Sequence, residues 1–157
     1  MRLDRPSWGL FFGASMRGRW GDLVRFGAGP ELMAQHSGGR VIYLATPYSR
    51  EVIGEDGAWS ALLSCEASVR AALFAELIAG HGATAISPIV MAAEMCHATG
   101  RDPLDAGFWT RWCMPLLAAC GSVAVPDFPG WQRSDGIWRE VVWALEHSVP
   151  VTFGAAA

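Results

Sequence analysis

Residues 41–50 read VIYLATPYSR. The first six are almost uninterruptedly apolar, and Pro47 stops them. A strand with one wet face alternates polar and apolar side chains. An unbroken run suits a strand covered on both faces, as in a parallel sheet. The same signature returns along the chain. ATAISPIV (83–90) is a second strand candidate, broken by Pro88. SVAVPDF (122–128) is a third and VPVTF (149–153) a fourth. Helical patterns lie between them. Residues 58–80 place Leu62, Cys65, Val69, Leu73 and Leu77 at helical spacing, with Gly80 and Gly82 as the stop. Residues 103–120 read as helix, with Pro115 kinking it or starting a second piece. Residues 135–147 form a last helix. Strand alternating with helix predicts an α/β domain, a flavodoxin-like parallel sheet of four to five strands with helices on both faces. Ligands in such sheets bind beyond the carboxyl ends of the strands. The segments following Thr46, Ser87 and Val125 are therefore expected to surround one crevice.

Three stretches carry chemistry to that crevice: IYLATPYSR (42–50), ISPI (86–89) and PGWQRSDGIWRE (129–140). In the last, Ser134 or Asp135 can cap the helix, and Gly136 lets backbone approach a ligand. Free N–H groups and the dipole suit this helix start to an anion such as phosphate. On a helical wheel Glu140 borders the arc of Ile137, Val141, Ala144 and Leu145, whereas Arg139 and Glu146 mark the wet side. Ala144, one turn on, leaves space beside the carboxylate. By spacing alone, Glu140 is equally an ordinary boundary residue that the dipole favours. Trp131, in a Gly-Pro loop, is a candidate cover for a sugar or base. Trp109 and Trp112 read as core or dimer contact before a stacking platform.

Taken together, these motifs resemble the nucleoside 2-deoxyribosyltransferase-like superfamily, which includes nucleotide N-glycosidases. The matching residues are Tyr-Leu-Ala-x-Pro-Tyr at Tyr43 to Tyr48, Ser-Pro-Ile at Ser87 to Ile89, and Gly130, Trp131, Ser134, Gly136, Glu140 and Ala144. They run in order over roughly residues 41–153. The resemblance implies that Glu140 is a nucleophile that takes the (deoxy)ribosyl group as an ester before water or a second base accepts it. It implies that Tyr43 orients that carboxylate and that Ser134 contacts a 5′-phosphate, which favours hydrolysis of a nucleotide. Thr46, Pro47, Ser87, Trp131, Asp135 and Gly136 complete the expected binding set. One departure stands out: WTRWCMPLL (109–117) lacks the aspartate that family members use on the leaving base. Cys113 or Met114 takes its place, and Asp105, Asp127 and Asp135 are the nearest substitutes. Without that acid the chain is either an N-glycosidase helped from elsewhere or a degenerate nucleotide-binding module. An NAD- or nucleotide-sugar-cleaving enzyme is the third option.

Composition bounds the rest. The chain has 157 residues, 52% hydrophobic and 17% charged, with net charge −3. That suits one compact domain and supplies no basic field for polymeric nucleic acid. Eight Trp in so small a domain, with family habit, predict a homodimer or larger. Cys65, Cys96, Cys113 and Cys120 include no C-x-x-C pair and read as free thiols of a cytoplasmic protein. No apolar run spans a bilayer, so no membrane partner is expected. His36, His81, His97 and His147 lack metal-ligand spacing, and the expected chemistry uses no metal or cofactor. Residues 1–40 hold six Arg against Asp4, Asp22 and Glu31. They read as a poorly packed arm or an over-extended start before a single domain over 41–157. LFFGASMRG (10–18) imitates a first-strand loop but has Phe where Tyr is needed.

Overall fold

In a computed structural model, which describes residues 5–13 and 18–156, five parallel strands form one sheet. They are β1 (Val24–Arg25), β2 (Ile42–Leu44), β3 (Ala85–Ile86), β4 (Ser122–Val125) and β5 (Val151–Phe153), in the order β1-β5-β4-β2-β3. The described helices are α1 (Trp8–Phe11), α2 (Pro30–His36), α3 (Ala61–Gly80), α4 (Pro88–Thr99), α5 (Ala106–Ala119) and α6 (Asp135–Glu146). The fold is flavodoxin-like. From β2 the chain steps outward to β3, then returns past β2 to β4. The order therefore reverses between β2 and β4, the place where such sheets open a crevice.

The apolar runs are explained by two cores. Ile42, Leu44 and Ala124 point to one face, where Ile78 of α3 and Met33 of α2 meet them. Tyr43, Ala45, Val123, Val125 and Phe153 point to the other, against α6 and Leu117 of α5. Successive residues thus face opposite layers, and neither layer is water.

Several expectations change. The second strand ends at Ile86. Ser87 accepts the Val90 N–H (3.4 Å) as the N-cap of α4, and Pro88 starts that helix, where its missing N–H costs nothing. Pro115 lies within α5 and does not begin a second helix. The expected arm is packed as far as it is described. β1 pairs with β5 as an edge strand, and the Val151 N–H donates to Leu23 O (2.7 Å). Phe12, Phe26 and Trp8 close around Phe153 at ring separations of 5.1–5.8 Å. The Arg-rich composition concealed these aromatic anchors. Residues 14–17 of the rejected 10–18 stretch lie outside the described residues.

The largest change concerns α3. Leu62, Val69, Leu73 and Leu77 are exposed, at 68%, 51%, 62% and 50%, and so is Cys65. The helix instead buries Ser64, Ala71 and Ile78, with Phe74 and Ala75 packed beside them. Small residues let it lie close to the sheet and to α4. Among the described residues no helix is long and apolar enough to cross a membrane.

Candidate functional site

Tyr43 sits in the middle of β2, fully buried, with its ring on the α6 side. Its hydroxyl donates to Glu140 Oε1 at 2.6 Å, across 97 residues of sequence. Glu140 lies in the second turn of α6, half-buried at the inner wall of a cavity. Burial pushes its carboxyl from 4.5 up to about 7, while the Tyr43 hydroxyl and, more weakly, the Arg139 charge pull it down. Tyr43 is driven far up, first by burial and then by the carboxylate, so it stays a neutral donor. Cys113 of α5 lies close enough to interact with both. Burial and then the Glu140 charge raise its thiol to about 11, so it too stays neutral.

The cavity encloses about 130 Å³. Pro88, Ile89, Ala92 and Cys96 of α4, Leu104 in the following loop, and Trp109, Cys113, Met114 and Leu117 of α5 form most of its wall. Thr46, just past β2, closes the sheet end. Its hydroxyl is buried with no hydrogen-bond partner, although buried hydroxyls are normally satisfied.

A second, more polar recess of about 300 Å³ adjoins it. Tyr48, Ser49, Ser134, Gly136 and Arg139 line both, and Pro47, Arg50, Glu51 and Asp135 line the recess. Ser134 caps α6, its Oγ accepting the Ile137 N–H (3.3 Å). A Cβ on Gly136 would meet only Ser134 Oγ, at 3.7 Å, so open space remains beside the first turn. Asp135 is not the cap; it pairs with Arg50 at 3.3 Å, both largely exposed. The 47–51 loop is pinned where the Tyr48 hydroxyl bonds Ser64 Oγ (2.8 Å) and accepts the Trp59 indole N–H (3.3 Å). Its other end rests on Gly130, whose φ of +89° and lack of a Cβ admit the Glu51 carboxylate.

The structure thus brings together Tyr43, Thr46, Pro47, Ser134, Asp135, Gly136 and Glu140. It separates others. Ser87 is a buried helix cap behind Pro88 and Ile89, which line the cavity in its stead. Trp131 is a core residue, 5% exposed, packed at a tilt against Trp8 and Phe153 with its indole N–H on Asp127 Oδ1 (3.2 Å). It covers nothing, because its 3-10 turn (Trp131–Arg133) aims it inward. Ala144 is packed in the core and does not line the cavity beside the carboxylate. Asp105 caps α5 from an exposed position, and Asp127 serves Trp131, so neither reaches the cavity. Trp109, read first as core or dimer contact, lines the cavity, its indole N–H held by Asp102 O (2.9 Å). The contribution of α4 went unread because Pro88 looked like a strand breaker. The Ser-Pro pair, an N-cap followed by a favoured N1 residue, was the available signal.

No curated protein matches the chain. Residues 40–155 match the model of a family described as a domain of unknown function, DUF1937, and the chain belongs to that family.

Proposed function

We propose that the protein cleaves, or transfers at, the N-glycosidic bond of a nucleotide, with Glu140 as nucleophile. The observation that carries this reading is the 2.6 Å bond from Tyr43 to Glu140, placed where an apolar cavity meets a polar recess. A heterocycle suits the cavity. A 5′-phosphate suits the recess, where the Ser134 hydroxyl, the start of α6 and the Arg50 and Arg139 side chains supply donors. The sugar between them presents its anomeric carbon to Glu140. The ionised carboxylate attacks that carbon, Tyr43 holds the oxygen in line, and the resulting ester is opened by water or a second base. With the carboxyl at about 7, a substantial fraction of the group is ionised at neutral pH.

A second reading, a nucleotide-binding module, is favoured by one observation. Among the described residues lining the cavity, Glu140 is the sole acid. One experiment separates the two. The protein is incubated with (deoxy)nucleoside monophosphates and NAD, and free base is measured. N-glycosidase action predicts release that Glu140→Ala abolishes. The binding module predicts no release by wild type and weakened ligand affinity in the variant.

The exposed stripe of α3 supports a homo-oligomer. Its four side chains, with Leu32 and Met91 on helices packed against α3, together present on the order of 500 Å² of apolar surface, the size of the largest patches on monomers, which often mark interaction sites. A second copy covers such a stripe by two-fold pairing of α3 with itself. Sedimentation at micromolar concentration tests this, and a monomer alone would sink it.

A further inference from the structure

The cavity around Glu140 holds an anion in an apolar wall with little to balance it. Arg139 is the one cation among the described lining residues; it is exposed, and its guanidinium donates to Thr110 Oγ1 (3.4 Å). The groups that carry a proton over the cavity are poor acids. The Trp109 indole N–H is taken by Asp102 O. The Cys113 thiol is raised to about 11, and the Cys96 thiol is raised by burial. Thr46, Thr110, Ser49 and Ser134 are aliphatic hydroxyls, and the Tyr48 phenol is engaged with Ser64 Oγ and the Trp59 indole N–H. A neutral base leaving the sugar takes both electrons of the C1′–N bond and departs as an anion unless an acid protonates it. That anion would form in an apolar cavity, where unpaired charge is most costly.

We infer, on the basis of the N-glycosidase reading, that the substrate is a nucleotide whose base is already cationic, an N-ribosylpyridinium or N-alkylated purine. The bookkeeping of the step then closes without an acid. A Glu140 oxygen forms the bond to C1′. The C1′–N bond breaks with its electron pair moving onto nitrogen, and the cationic ring leaves as a neutral heterocycle. Carboxylate and cation disappear together, so the transition state carries less charge than the bound pair, and an apolar wall favours that change. Water then opens the ester, returning the carboxylate and releasing the sugar phosphate and a proton. Trp109, Met114 and Cys113 offer polarisable surface to a flat cation. The unpartnered Thr46 hydroxyl is free for a polar group of the sugar or base.

The test measures free base from nicotinamide mononucleotide, 7-methyl-GMP, GMP, AMP and dAMP, with wild type and Glu140→Gln. The two cationic nucleotides should show kcat/KM about a hundredfold or more above the neutral three, the order of the factor a general acid otherwise contributes. Glu140→Gln should remove the activity. Neutral nucleotides cleaved as well as 7-methyl-GMP would overturn this inference and leave the N-glycosidase reading standing. Release from none of the five would overturn both.

Discussion

Helices α3 and α6 cover opposite faces of one sheet and are built by opposite rules. α6 buries its large residues, Ile137, Trp138, Val141 and Leu145, and turns Arg139 and Glu146 outward. On the border of that arc a single carboxylate enters the cavity. α3 buries mainly its small residues, Ser64 and Ala71 with Ile78, and turns four large aliphatic side chains outward. Glu66, Arg70 and Glu76 are the charged residues on its exposed side. The contrast separates two uses of apolar surface. On α6 it fixes the position of a carboxylate to within a hydrogen bond. On α3 it marks a face suited to another layer of protein. Each use can be broken by a different substitution.

The largest expected effect belongs to the carboxylate. Glu140 is raised in the folded chain from 4.5 to about 7, chiefly by burial. A raised carboxyl favours folding while it is protonated. That contribution is complete below about 4.5 and is lost as pH climbs through about 7. Glu140→Gln keeps the group neutral at every pH. The variant should therefore be more stable than wild type by on the order of 2–3 kcal/mol at pH 8, with the difference shrinking toward pH 4.5. Urea denaturation at both pH values measures it. Parallel pH dependence of the two proteins would mean that the carboxylate is well solvated and that α6 carries an ordinary boundary glutamate.

Next comes Tyr43→Phe. The hydroxyl lowers the Glu140 pKa by hydrogen bonding to the ionised form, so its removal should raise that pKa further. If Glu140 is the nucleophile, the rising limb of activity against pH moves above 7, and the rate at neutral pH falls about tenfold to a hundredfold. Conservation of volume keeps the β2 core intact, so melting should change little at low pH. An unmoved limb would show that a different group sets the profile.

The contrast between the helices also explains what was legible in the sequence. The buried strands could be read because runs such as VIYLAT fit few other environments, whereas the pairing of Tyr43 with Glu140 came from the resemblance of the motifs and not from spacing. The wheel of α6 was readable because one arc is large and apolar and the opposite side is charged. α3 has no such asymmetry. The positions with the strongest helical spacing, Leu62, Val69, Leu73 and Leu77, form its outer stripe, because close packing selects Ala and Ser within. β1 is two residues long and offers no period to detect. Trp131 and Trp109 exchanged places for a related reason. A loop position does not tell whether an indole points inward, and a helix position does not tell whether it faces core or cavity.

The smallest effect on the folded chain tests the outer stripe. Ala71→Leu and Leu73→Glu lie two residues apart on α3, on opposite sides. Ala71 is fully buried, so three added carbons must displace the sheet or α3 itself. That overpacking should cost about 1–3 kcal/mol, with little reason to alter association beyond the loss of fold. Leu73 is 62% exposed. In an isolated chain Leu73→Glu should alter stability by no more than about 0.5 kcal/mol, as surface substitutions usually do. If α3 pairs with α3 of a second copy, the same change places two like charges in a desolvated apolar seam, and sedimentation should shift to monomer while the unfolding midpoint at low protein concentration stays put. A chain that sediments identically with Leu or Glu at position 73 would leave the stripe without a partner copy. A large loss of intrinsic stability in Leu73→Glu would mean that the side chain is covered within its own fold.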